Sequence, residues 1–303
     1  MESVLIKSAG LVFLIVLGFV LKKIGLFKVE DSKVFSKIMI YITLPAILIN
    51  AFRNFQADLN LISLFFINIV VCLVMTFVGW VAGRKEDPLA RAMYMICAAG
   101  FNVGSFGLPF IQTFFPDRIM NVVMFDIGNS ITCCGLIFSF AVMQMTKKKG
   151  LDLKLMGKTL VGSFPFDIYV VLLALQVVHF RFPEPVYAVV ETVAAANPVV
   201  VMVMLGILFE VNLTPKCRRQ VIEILVARLL GEIAICLFIY FLLPMPVEQK
   251  QVLVMLILGP CTSMVTVFCG KLECDSDVYG TVSSLSIAIS IAMMIGLGLL
   301  WAA

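Results

Sequence analysis

The sequence is poor in the residues that most often carry catalysis or bind metals. Among its 303 residues there is one histidine, His179, and only 14% are charged. It contains neither an HExxH zinc motif nor a GxxxxGK[ST] phosphate-binding loop. A membrane enzyme would need clustered His, Asp and Glu side chains. We therefore expect no enzymatic activity, no metal site and no organic cofactor.

Two further absences exclude other classes of protein. The nine cysteines are odd in number and lack paired CxxC spacing. We interpret them as small buried apolar residues, not as a disulfide framework or a zinc site. The net charge is only +4, without a basic cluster interleaved with aromatic residues. Nucleic acid is therefore not expected as a partner.

What the sequence has in abundance is apolar residues. They make up 61% of the chain, and the mean hydropathy is +1.07, whereas soluble domains are roughly 45–50% apolar. The pattern predicts an all-α protein spanning the lipid bilayer, with ten segments of about the length that a spanning helix needs. They are residues 3–21, 34–54, 59–82, 91–114, 119–145, 163–180, 186–209, 220–243, 250–270 and 278–302.

The basic residues predict the orientation of these segments. Most Lys and Arg side chains fall in alternate connections, at 22–37, 84–91, 147–158, 216–219 and 271. Loops rich in Lys and Arg stay in the cytoplasm. We expect a multi-pass protein of the cell membrane with both termini outside.

One stretch, from Ala98 to Pro109, does not look like an ordinary spanning helix. It carries three glycines and a proline within a long apolar segment. Broken backbone at membrane depth is tolerated where it is buried in protein or lines a wet cavity, and paired breaks indicate a transporter binding site. A glycine-rich packing face or a simple proline kink is the alternative.

Helix breakers recur at a similar offset along the chain. Pro45 and Pro198 are 153 residues apart, and Pro109 and Pro260 are 151 apart. This spacing predicts two five-helix halves, residues 1–150 and 151–303. Because five is odd, the second half would be inverted relative to the first, as in many secondary carriers. The alternative is coincidence among 12 prolines.

Polar side chains at membrane depth supply the candidate site. Ionisable groups there cost roughly 2.5–3.5 kcal/mol on insertion scales and are functional candidates. Broken helices expose N–H groups that suit a carboxylate and carbonyls that suit a cation. The candidates for substrate binding are Asn102, Gly104, Ser105, Pro109, Pro260, Thr262, Ser263 and Thr266. Asp126, Asn129, Arg228 and Glu232 are candidates for support or for coupling to H⁺ or Na⁺, and Pro45, Asn197 and Pro198 for further helix breaks.

Arg228 and Glu232 have a structural alternative. They stand at i and i+4 in one segment and can pair along one helical face. Such a pair could orient the bundle without taking part in transport.

The sequence resembles the auxin efflux carrier family, whose bacterial members include malonate and malate permeases. The resemblance rests on Thr43–Leu48 (TLPAIL), Asn102–Pro109 (NVGSFGLP) and Phe125–Asn129 (FDIGN). It also rests on Asn197-Pro198 with Leu205-Gly206, and on Gly259–Ser263 (GPCTS).

The resemblance implies a fold like that of the bile acid–sodium symporter. Segments 1, 2, 6 and 7 would form a scaffold, and segments 3–5 and 8–10 a transport domain. Segments 4 and 9 would cross at their prolines, and an elevator motion would carry organic anions. Family members can form homodimers through the scaffold. The family often has a proline shortly after the segment-8 arginine, whereas this chain has Glu232.

The sequence thus favours a secondary active or potential-driven transporter of small organic anions. A ligand sensor on a carrier scaffold, marked by a fused signalling domain, is the alternative from another class. A passive channel fits the paired helix breaks less well. Substrate identity, direction of transport and driving ion stay open.

Overall fold

The computed structural model describes residues 2–302 apart from 54, 56–57, 147–156, 158–159, 161–162, 212 and 216. The described chain is helical and contains no strand, only one isolated β-bridge. The predicted boundary between the two halves, at 150/151, lies outside the described residues. So do the basic residues at 147–149, 154, 158 and 216.

Every predicted segment contains helix, either as one element or as several. Short 3-10 turns at Val29–Asp31 and Pro116–Arg118 precede α2 and α7. The helices are α1 (Glu2–Lys23), α2 (Ser32–Ile38), α3 (Leu44–Phe52), α4 (Leu59–Ala82), α5 (Pro88–Ala98), α6 (Leu108–Phe114), α7 (Ile119–Ile131), α8 (Phe138–Thr146), α9 (Phe164–Val177), α10 (Glu184–Ala195), α11 (Asn197–Leu208), α12 (Arg218–Leu242), α13 (Val247–Ile257), α14 (Met264–Lys271) and α15 (Ser276–Ala302).

Six stretches of the described chain are long and apolar enough to cross a membrane as single helices. They are Val29–Phe52, Leu59–Ala82, Pro116–Met145, Glu184–Leu208, Arg218–Leu242 and Ser276–Trp301. The predicted segments 4 and 9 are instead divided, into α5 with α6 and α13 with α14. The ten-span count and the inverted repeat stay predictions.

Two prolines alter their helices without interrupting them. Pro45 follows a π-helical turn at Met39–Thr43, and Pro109 follows one at Val103–Gly107. Proline lacks an N–H, so it removes one i→i−4 hydrogen bond, and a π turn is a local readjustment of that ladder. The break predicted at Pro45 is therefore a π turn within a continuous helical path. At Asn197-Pro198, α10 likewise passes into α11 through Ala196, whose backbone is helical.

The helices of segments 1, 2, 6 and 7 pack against one another and form one group. α11 lies against α1 and α2, and α3 lies against α9 and α10. Gly18 and Gly206 make the α1–α11 approach possible, because a Cβ on either would collide with the backbone of the other helix. Thr43 Oγ1 donates a 2.7 Å hydrogen bond to Asn197 Oδ1, which joins the two modified helices directly.

A second group packs around α4. This helix lies against α5, α7 and α12, while α12 also contacts α13 and α15. Glycines again set the close approaches: a Cβ on Gly79 would meet the Tyr94 carbonyl oxygen at 2.6 Å, and one on Gly128 the Phe65 carbonyl oxygen at 2.6 Å. Segments 3–5 and 8–10 therefore share one packed unit in which the divided helices lie.

Candidate functional site

The divided segments 4 and 9 meet where each leaves the helical conformation. Phe101 and Cys261 form an isolated antiparallel β-bridge. The Asn102 N–H donates to the Pro260 carbonyl oxygen at 2.9 Å. Two short extended stretches, Phe101–Asn102 and Pro260–Cys261, are thus paired in the interior of a helical protein. We call these paired stretches the crossing. In both extended stretches, backbone N–H and C=O groups are left without a hydrogen-bond partner inside a helix.

Local sequence explains why segment 4 divides here. α5 begins firmly at Pro88, where Asp87 accepts hydrogen bonds from the N–H groups of Leu89 and Ala90. It ends at Ala98, and Gly100 then adopts a φ of +78°. This left-handed backbone favours glycine. A Cβ there would also lie 2.5 Å from Cys133 Sγ and 3.0 Å from Thr262 Cγ2.

Side chains from neighbouring helices satisfy the freed backbone. Asn129 of α7 donates from Nδ2 to the Phe101 carbonyl oxygen at 2.8 Å and accepts the Phe101 N–H on Oδ1 at 3.1 Å. Ser286 of α15 accepts the Cys261 N–H at 3.1 Å. Segments 5 and 10 therefore play matching parts, each holding the broken chain that precedes it. This is how a membrane protein tolerates irregular backbone at depth.

Arg228 of α12 closes the ends of both leading half-helices. Its Nη1 donates to the carbonyl oxygens of Cys97, Ala98 and Gly100 at 3.2, 2.9 and 3.1 Å. Its Nη2 donates to the Gly259 carbonyl oxygen at 2.9 Å. Helix C-termini carry partial negative charge on their free carbonyls. One guanidinium therefore neutralises two helix ends at once.

Glu232 balances the charge of this arginine. Its Oε1 lies 2.7 Å from Arg228 Nε, and the two side chains are 5% and 3% exposed. The pairing expected from the i, i+4 spacing is confirmed. The positive charge of the guanidinium beside the carbonyls at both half-helix ends disfavours an alkali cation at these oxygens. The pair's chemistry is that of a fixed internal cation with its counter-ion.

Asp126 lies beside the second half of segment 4, next to Asn129. It is buried, and Oδ2 accepts a 2.7 Å hydrogen bond from the Tyr169 hydroxyl, while Oδ1 accepts one from Asn129 Nδ2 at 3.2 Å. A Cβ on Gly104 would lie 3.3 Å from Oδ2. The carboxyl group therefore adjoins the N-terminal turn of a half-helix, where anions are stabilised.

Asn102 is the predicted substrate residue whose side chain is most available. Its backbone is fully engaged, since its carbonyl oxygen also accepts the N–H groups of Phe106 and Gly107 at 3.1 and 3.0 Å. Its amide side chain has no hydrogen-bond partner within the described chain, and the residue is 9% exposed. The amide is not among the fully enclosed unpaired polar atoms of the described chain, so it is reachable by water or by a ligand that would pair with it.

The other predicted substrate residues divide into two sets. Thr262 directly follows the crossing, and Gly104 and Ser105 lie in the π turn at Val103–Gly107. Ser105 Oγ contacts Met39 Sδ at 4.0 Å. Ser263 and Thr266 are exposed, and Thr266 bonds back to the Ser263 carbonyl oxygen. Pro260 is in the crossing.

Pro109 differs from the expectation that both segments cross at their prolines. It stands at the start of α6, seven residues beyond Asn102, because the π turn moves the proline into the following helix. Although the spacing of Pro109 and Pro260 resembles that of Pro45 and Pro198, Pro109 and Pro260 therefore do not occupy equivalent positions relative to the crossing.

A family model described as "Membrane transport protein" matches residues 3–159 of the chain. The chain belongs to this family, that of the auxin efflux carriers. The matched range contains segments 1–5, with Asn102, Asp126 and Asn129, so the transporter assignment includes the first half of the crossing. Arg228, Glu232 and Pro260 lie beyond it.

One similar curated protein is described as a transporter. An uncharacterized transporter from Methanothermobacter thermautotrophicus is 26% identical over 135 residues. The alignment covers 42% of this chain and 44% of the relative, less than half the relative's length.

Three residues of the candidate site were not predicted from the sequence. Tyr169 and Ser286 looked like ordinary members of apolar segments, and only their distant partners give them a role. Thr43, which bonds to Asn197, was quoted only as part of a motif. Each carries a hydroxyl at membrane depth, and that is the signal that could have drawn attention to them.

Within the described residues, no group of three or more His, Cys, Asp or Glu side chains could hold a metal ion. The eight cysteines whose side chains are described are buried.

Proposed function

We propose that this transporter carries small organic anions, carboxylates such as malonate or malate, by alternating access around the crossing. The observation that carries the proposal is the unpartnered Asn102 amide, held between two half-helix ends by a fully satisfied backbone. The resemblance of the motifs to malonate and malate permeases supports carboxylates as the class.

The anion would lie at the N-terminal turn that begins at Val103. Free N–H groups and partial positive charge there favour a carboxylate. Asn102, Ser105 and Thr262 would add side-chain hydrogen bonds, and Arg228 would stay on the opposite, carbonyl-rich side, where it holds the half-helices together.

An elevator motion of segments 3–5 and 8–10 against segments 1, 2, 6 and 7 would change the side to which this site opens. The grouping of the helix contacts supports two such units. Polar contacts between them are few in the described chain; they include Tyr169 to Asp126 and Gln112 Nε2 to the Ala194 carbonyl oxygen at 3.4 Å. Such contacts can break and re-form at modest cost, because membrane hydrogen bonds average about 0.6 kcal/mol.

Asp126 would couple transport to protons. Its carboxylate lies where the anion is proposed to bind, so two negative charges would share one place, and uptake of a proton by Asp126 would remove the repulsion. The positive charge of Arg228 beside the half-helix carbonyls would repel Na⁺, which favours H⁺ over Na⁺ as the coupling ion at the crossing.

Substitution of Asn102 tests the site. Asn102→Ala should abolish uptake of labelled malonate or malate into proteoliposomes, because the amide that binds the anion is lost while the backbone pairing remains. Asn121→Ala removes another buried asparagine, on α7, and should leave uptake within about twofold; that limit is our order-of-magnitude expectation for a site outside the binding region. Wild-type uptake by a folded Asn102→Ala variant would refute the assignment.

Neutralisation of Asp126 tests the coupling. Wild-type uptake should rise as the outer pH falls, because a protonated Asp126 admits the anion. Asp126→Asn keeps the shape of the side chain and should make uptake independent of a pH gradient. If the dependence persists, Glu232→Gln should remove it instead; persistence in both variants would exclude both residues from coupling.

A further inference from the structure

A cavity of about 520 Å³ lies between the two helix groups, away from the crossing. Its walls come from the end of α3, the connection to α4, the end of α6 and the start of α7, with Ala194 of α10. Small-molecule sites commonly have volumes of roughly 300–1,000 Å³. We call it the outer cavity, because it lies at the bundle end opposite the basic loops.

One half-helix extends from the crossing to the wall of the outer cavity. Asn102 precedes this half-helix, and Gln112, which lines the cavity, lies ten residues later on α6. At 1.5 Å per residue this is roughly 15 Å along the helix axis. An anion entering from this side would pass the outer cavity before reaching Asn102.

Arg53 is the basic side chain in the wall. It is 36% exposed, and its Nη2 donates a 2.5 Å hydrogen bond to Glu184 Oε2, on a side chain that is 74% exposed. The guanidinium also lies 4.7 Å from the centre of the Tyr187 ring. Stacking on the ring fixes the plane of the guanidinium, whose forked donors suit the carboxylate of a bound anion in place of Glu184.

The Arg53–Glu184 pair is easily exchanged. Exposed ion pairs are worth about 0–1 kcal/mol, so a carboxylate arriving from solution can replace Glu184 at little cost. The rest of the wall offers the polar side chains of Asn50 and Gln112 and the apolar side chains of Ile47 and Ile119. Asp117 also lines the cavity but is exposed.

We propose that the outer cavity is a second binding site. There the carboxylate of the transported anion replaces that of Glu184 on Arg53 before the anion moves to the crossing. The inference rests on the proposed function. Arg53 would then determine the affinity for the anion on this side, and Asn102 would determine whether the bound anion is carried across.

Kinetics of proteoliposome uptake separate these two roles, with labelled malonate and malate as probes. Arg53→Gln should raise KM at least tenfold and leave the maximal rate within about twofold, because the site of translocation is intact. Glu184→Gln should lower KM severalfold, because Arg53 is then permanently free. Arg118→Gln is the matched control: Arg118 pairs with Glu248 at the same end of the bundle but does not line the cavity.

Chemical labelling gives an independent readout. Asn50→Cys should react with a membrane-impermeant thiol reagent. Malonate or malate should slow this reaction when Arg53 is present, but not when Asn50→Cys is combined with Arg53→Gln. An unchanged KM in Arg53→Gln, or equal protection in both backgrounds, would overturn the second site while leaving transport through Asn102 intact. Failure of the wild type to bind or carry either anion would overturn the proposed function as well.

Discussion

Arg228→Gln should destabilise the protein strongly and abolish transport. The substitution leaves Glu232 as an unpaired buried charge and removes donors from carbonyls at the ends of α5 and α13. Removing one partner of a buried ion pair costs about 3–5 kcal/mol. Thermal unfolding of the purified protein, followed by size-exclusion chromatography, measures the loss.

A second substitution of Arg228 separates the effect of its charge from that of its hydrogen bonds, and a substitution of Arg219 serves as the control. Arg228→Lys keeps the charge, but one ammonium group cannot span carbonyls on both half-helices; it should fold better than Arg228→Gln and still transport poorly. Arg219→Gln is the control on the same helix, since Arg219 is exposed and pairs at the surface with Glu86 and Glu223. If Arg228→Gln unfolds at the wild-type temperature, Arg228 does not hold the crossing together.

Asn129→Leu should be the second most damaging change. Leucine has a similar volume, but the N–H and the carbonyl of Phe101 both lose their partner, and each unsatisfied buried group costs about 1–3 kcal/mol. Asp126 loses a hydrogen bond as well. We expect a large fall in the unfolding temperature and no measurable uptake.

Asn121→Leu is the matched control for this variant. Asn121 is buried two turns earlier on α7, and its Nδ2 has no hydrogen-bond partner in the described structure. Replacing a poorly bonded polar side chain by an apolar one should be close to neutral. Equal destabilisation by the two substitutions would show that Asn129 contributes burial alone, without a specific hold on Phe101.

The sequence predicted the features that depend on local pattern. Three glycines within an apolar segment indicated the division of segment 4, and spacing of four residues indicated the Arg228–Glu232 pair. Asp126 and Asn129, three residues apart, were expected on one face, and they are joined by a hydrogen bond.

Features that depend on distant contacts could not be predicted in this way. Arg228 donates to carbonyls about 130 residues away, and Tyr169 to Asp126 across 43 residues. No local spacing encodes such partners. The π turns before Pro45 and Pro109 were also missed, because a proline pattern alone does not distinguish a gap in a helix from a readjusted turn.

Uptake of labelled malonate and malate by wild-type proteoliposomes, under imposed pH, Na⁺ and voltage gradients, tests the central claim most directly. The account predicts uptake that is driven by an inward proton gradient, is unaffected by replacing Na⁺ with choline and is lost in Asn102→Ala. Folded protein that binds these anions without moving them under any gradient would contradict it, and would indicate a ligand sensor built on a carrier fold.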